Sequence, residues 1–209
     1  MKFPIVASLI LLVVMLSLRL KTVSRLTAED EKNFMNRERE ANSVRKKPLT
    51  DLPYIHVDFD RLPISVSSNP EIIEQEALLR SFAEKQIVNL SGYTNTELKL
   101  AYGAPNIQVL TEYDQNFTDL EVALSSYGAM LQKEGLEKEA ATVYEYLADL
   151  GSDIAQVYEN LAMLYVSFEE PEKIAPLRDK VSALRTPSKD RILKHLDAIN
   201  PLTLLQGLS

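Results

Sequence analysis

Between Leu124 and Ile174 the chain repeats one order of large and small apolar residues twice, 34 positions apart. Leu124, Tyr127, Gly128 and Leu131 in the first copy are matched by Tyr158, Leu161, Ala162 and Tyr165 in the second. Spacings of three and four place each set on one face of a helix. Gly128 and Ala140 are small where two antiparallel helices would come closest, while Tyr127, Leu131, Tyr144 and Leu147 fill the space around them. Gly135 stands where a tight turn would join the pair. A unit of this kind covers its apolar face only against a neighbour, which confines the chain to a stack of helix pairs.

Composition points the same way. Six glycines, no tryptophan and long runs without turn signals argue against a β-sandwich or a glycine-rich nucleotide fold. The expected fold class is all-α, with one transmembrane helix ahead of the helix pairs. Asn69-Pro70-Glu71 opens a helix with a cap, a first-position proline and an acid, and its apolar pattern runs on to Leu90 before Ser91-Gly92. Thr94 starts a short helix through Tyr102, stopped by Gly103, and Pro105 starts the next. Pro187-Ser188 opens a last helix with Ile192, Leu193, Leu196 and Ile199 on one face, suited to covering the end of the stack. The helical domain is therefore expected over residues 70–209.

At the amino end, residues 3–18 are uncharged and have no polar face. At about 1.5 Å per residue the run falls a little short of a ~30 Å hydrocarbon core, and Leu20 with the stems of Arg19, Lys21 and Arg25 closes the gap. A signal peptide also begins this way, but the small residues of a cleavage site are missing: Leu18, Arg19, Leu20 and Lys21 stand there. The expectation is an uncleaved single-pass anchor over 1–20. Arg19, Lys21, Arg25, Lys32, Arg37 and Arg39 follow the run against Lys2 before it, which favours a cytoplasmic repeat domain. Residues 21–69 read as a linker. Its first part is a charged helix capped by Thr27 and ending at Arg45–Lys47. Its second part is an extended segment in which Ile55, Val57 and Phe59 alternate with His56, Asp58 and Asp60, the apolar side docking on the helical domain.

The stretch 120–153 resembles one tetratricopeptide repeat. Leu124, Tyr127-Gly128, Leu131, Gly135, Ala140 and Tyr144 take the pattern's positions, with Ser152 in place of the usual proline and Leu147 in place of a small residue. The second copy departs further: Glu169 occupies the glycine position and Arg178 the aromatic one, and Pro171 and Pro176 interrupt its second helix. The resemblance implies a concave groove, lined by the first helix of each pair, for a peptide or helix of a partner protein. Carried across, the groove positions include Val122, Ser125, Ser126, Ala129, Gln132 and Lys133, then Gln156, Glu159, Asn160, Met163 and Val166. Gln132, Lys133, Gln156, Glu159, Asn160 and Met163 form the candidate partner site. The family's clamp for a terminal carboxylate needs Lys and Asn where Ser125 and Ala129 stand, so only Asn160 fits it and that use is rejected.

Other functions are disfavoured by what the chain lacks. Residues 51–209 hold thirteen Lys/Arg against twenty-five Asp/Glu, a balance of −12 that repels nucleic acid, while residues 1–50 hold ten against five. No cysteine is present, and His56 and His195 are too few for a histidine-built metal site, so no cofactor or metal is expected. Acid pairs occur at Asp58/Asp60, Glu137/Glu139 and Glu169-Glu170, the requirement of a carboxylate-dependent hydrolase, yet no histidine, glycine elbow or phosphate loop accompanies them. The expected role is a membrane-anchored adaptor without catalysis. A structural subunit of an envelope or secretion assembly, also using the apolar tail Leu202–Leu208, is the alternative.

Overall fold

The computed structural model describes residues 29–199 together with Leu12, Met15 and Arg19, and within them eight α-helices and no strand. The helices are α1 (29–43), α2 (Pro70–Arg80), α3 (Asn95–Tyr102), α4 (Ile107–Lys133), α5 (Glu137–Asp149), α6 (Ala155–Ser167), α7 (Ile174–Ala183) and α8 (Lys189–Ile199). Among the described residues no helix is long and apolar enough to cross a membrane. The expected anchor over 1–20, the Thr27 cap and the tail Leu202–Leu208 lie outside the described residues, apart from the three named above.

The described chain divides into two compact units: residues 29–47 with Thr94–Ile107, and residues 48–93 with 108–199. In the first unit, α3 starts on a reciprocal cap in which the Thr94 hydroxyl accepts from the Glu97 amide and the Glu97 carboxylate accepts from the Thr94 amide. Its other end leaves carbonyls without helical partners. Lys47 Nζ donates to two of them, Leu100 O at 3.0 Å and Ala101 O at 2.9 Å, and the Lys47 amide donates to Tyr102 O. That is why α1 stops at 43 rather than running to Lys47, as its sequence suggests. The basic run closes a neighbouring helix instead of ending its own. Glu38 meets Lys99 at 3.1 Å, and buried Asn106 donates to Lys47 O and Tyr102 O.

The second unit holds the core. Asn69 accepts from the Glu71 amide and Pro70 takes the first turn of α2, as the sequence indicates, but the helix ends at Arg80 and passes through a 3-10 turn, Ser81–Glu84. Residues 85–90 are not helical. Ile87, Val88 and Leu90 are buried in an irregular path fixed from outside, with Ile55 N donating to Ile87 O and Leu90 N to Asp114 Oδ1. The segment read as extended forms no strand: residues 53–58 take no regular structure, and Asp58, itself extended, caps a 3-10 element, Phe59–Arg61, by accepting from the Asp60 amide. Its apolar side does dock, with Ile55, Val57, Phe59 and Ile64 packed against the core. The Asp58 amide donates to Tyr146 Oη at 2.9 Å, and the Tyr127 hydroxyl lies within hydrogen-bonding distance of Pro63 O and the buried Glu76 carboxylate.

Around Tyr127, Tyr144 and Tyr158, all fully buried, α4 and α5 follow one another as one pair and α6 and α7 as a second, though α6 lies against α5 and α8 far more than against α7. The α6 helix packs on α5, and α8 packs on α6 and α7. Asp149 at the end of α5 joins Arg61 and Lys180. Burial pushes its carboxyl up, but hydrogen bonds from Lys180 and Arg61 outweigh that and hold it below the ordinary carboxylate value.

Candidate interaction groove

The two pairs turn in the same way. After α4, Gly135 has φ +84°, its amide donates to Gln132 O, and the Leu136 amide donates to Leu131 O at 2.9 Å. After α6, Glu169 has φ +60°, its amide donates to Val166 O, and the Glu170 amide donates to Tyr165 O at 2.8 Å. Every atom pair in the second turn lies 34 positions after its counterpart. Glu169 adopts a left-handed conformation that a side chain disfavours by about 1 kcal/mol, which shows how firmly packing fixes this turn. At the centre of the first pair, a Cβ on Gly128 would lie 2.6 Å from Tyr144 Cε1, so the helices approach there as closely as the missing side chain allows.

On the outer face of α6, Gln156 Nε2 donates to Asn160 Oδ1 at 2.7 Å and Asn160 Nδ2 donates to Tyr144 Oη at 3.2 Å. Glu159 pairs with Nδ1 of His195 on α8. Three of the six candidate residues are thus fixed on one face by their neighbours. Further along α6, Met163 is 47% exposed and Val166 37%. Beside this face a cleft of about 620 Å³ is lined by Asp153, Gln156, Glu159, Ser188, Arg191 and His195.

Of the six candidates only Gln156 and Glu159 line that cleft; Asn160 and Met163 lie on the same helix outside it, and Gln132 and Lys133 are elsewhere. Gln132 is half-buried near the end of α4, and Lys133 lines a different cleft with Asn69, Glu71, Met130 and Glu134. The carboxylate pairs are not gathered either. Asp58 is a turn cap, and Glu170 pairs with Lys173. Among the described residues no group of three or more acids and histidines could hold a metal ion.

Sequence reading missed the α8 wall of the cleft. Ser188 and Arg191 stand beside residues expected to carry only a cap, and no local signal says which face of α6 receives that helix. It placed the start of α2 but not the flank of that helix, which carries Glu71, Glu74 and Leu78 to the side of α4. A comparison of the chain with family models, curated proteins and solved structures returns no match.

Proposed function

We propose that this chain is a non-catalytic scaffold, held at a membrane by its amino-terminal apolar run, whose tetratricopeptide-like helix pairs offer a groove to an extended or helical segment of a partner protein. The observation that carries the reading is the outer face of α6. There the exposed apolar side chains Met163 and Val166 continue a row of polar groups, Gln156, Glu159 and Asn160, already fixed by hydrogen bonds. Such a face suits a protein ligand, because apolar contact supplies affinity and fixed polar groups supply orientation. Matching turns at Gly135 and Glu169 support the repeat architecture. The uncharged run over residues 3–18 supports the anchor, and the basic residues after it support a cytoplasmic groove.

A photo-crosslinking residue at Met163 in the full-length protein, irradiated in its native membrane, tests the groove. A discrete protein adduct is expected at that position, weakened by Val166→Glu and absent when the same group replaces Thr142 on α5. Equal adducts from both positions, or none from either, would rule the α6 face out as a partner site.

A further inference from the structure

One flank of α2 and one edge of α4 enclose a trough separate from the α6 face. Glu71, Glu74, Gln75 and Leu78 line it from α2, and Met130 lines it from α4. A second cleft continues it towards Asn69, Lys133 and Glu134, sharing Glu71 and Met130 with the first. Their volumes are about 330 and 350 Å³. The Gln75 side chain fixes the seam by donating to Ala123 O at 2.8 Å. From Asn69 to Leu78 the wall rises about 14 Å along a helix axis, some two and a half turns of a partner helix.

Apolar floor and acidic rim occur together here. Leu78 is 48% exposed, although Ile72 and Leu79 on the same helix are fully buried. Val122, 55% exposed, shares a helical stripe with Ser126 and Met130 at intervals of four. Glu71 in the first turn of α2 has an ordinary explanation in the helix dipole, but Glu74 lies beyond that turn, and neither acid explains an uncovered leucine beside it. Glu134 adds a third carboxylate, already held by the Ser67 hydroxyl at 2.8 Å, and Lys133 is the trough's one cation. Against a balance of −12 over residues 51–209, an anionic surface would be repelled and an uncharged segment would leave the rim unanswered.

We propose that this trough binds a cationic amphipathic segment of a partner protein, its apolar side chains on Leu78, Met130 and Val122 and its Lys or Arg side chains on Glu71 and Glu74. The proposal stands apart from the α6 groove and does not depend on it. Apolar contact holds the segment, and the carboxylates set its register and reject acidic competitors.

Met130 and Met163 are two of five methionines, so methyl labelling of methionine gives each surface its own signal. The full-length protein in nanodiscs of zwitterionic lipid is titrated with a synthetic 14-residue leucine–lysine helix, and separately with the same helix carrying glutamate for lysine. Expected are saturable shifts of the Met130 methyl with the lysine peptide and none with the glutamate peptide. Affinity should fall about tenfold in the double variant Glu71→Lys and Glu74→Lys, whose sites are exposed and leave the fold intact. Movement of Met163 alone, silence at Met130, or unchanged affinity in the charge-reversed protein would overturn the trough. Loss of the Met163 crosslink described above would instead remove the α6 groove and leave this result standing.

Discussion

Glu121 is 5% exposed and its Oε1 has no hydrogen-bond partner. Burial pushes its carboxyl up to about 7. The charges of Asp153 and Asp114 act in the same direction, and hydrogen bonds from the Ser152 side chain and the Asp153 backbone oppose it. Tyr158 on α6 faces it as well. Because the folded-state value lies above the ordinary 4.5, the native protein binds the extra proton. The stability contributed by this proton is complete below about 4.5 and is lost as pH rises through about 7. Between pH 5.5 and 8 the loss should be roughly 2 kcal/mol, and Glu121→Gln should abolish it and be the more stable protein at pH 8. Denaturant midpoints at the two pH values decide the matter, and parallel slopes for both proteins would refute it. Two further substitutions separate crowding from backbone strain. Gly128→Ala forces a methyl into the buried Tyr144 ring and should cost about 1–3 kcal/mol, while Glu169→Gly relieves the left-handed residue and should add roughly 0.5–1 kcal/mol. Thermal midpoints moving the same way in both variants would contradict this account.

At the scale of the element, starts were legible and some ends were not. Asn69-Pro70, Thr94 and Pro105 act within one turn of chain, so their chemistry is visible in the sequence. The end of α2 is different. Ile87, Val88 and Leu90 keep an apolar pattern compatible with a helix, and they leave it because Ile55, Tyr113 and Asp114 offer hydrogen bonds from distant parts of the chain. The same limit governs the candidate site. Gln156, Glu159 and Asn160 could be placed on one helix face by spacing alone, but their fixing partners, Tyr144 and His195, come from two other helices. Helix α8 shows what such a partner is worth. Ile192 and Leu196 are fully buried, so Leu196→Ala should cost about 2–4 kcal/mol. Amide exchange should quicken along α6 as well as α8, since α8 covers α6. Exchange that quickens in α8 alone would mean that α6 holds its own stability.

At the scale of the whole molecule, charge is divided along the chain: +5 over residues 1–50 and −12 over residues 51–209. The basic part follows the apolar run, and the acidic part carries the helix pairs. If the basic residues after the run remain on the cytoplasmic side, the pairs remain with them. The chain has no cysteine, so Ser182→Cys at an exposed position of α7 would be its sole thiol. A membrane-impermeant maleimide should label it only after lysis. Labelling of intact cells would put the helix pairs on the other side and make an envelope assembly the better account.

The interleaving of the two units has a consequence during synthesis. Residues 48–69 reach the ribosome exit long before the helices that cover them: Asp58 waits for Tyr146, 88 positions later, and Pro63 for Tyr127, 64 positions later. At about 5–20 residues per second the longer wait lasts roughly 4–18 s. Ile55 can meet Ile87, 32 positions later, and Phe59 the Arg80 side chain, 21 positions later, but the Tyr146 and Tyr127 partners of this segment come only after residues 94–107, which belong to the other unit. Slower elongation beyond residue 93 therefore lengthens the wait for those two partners.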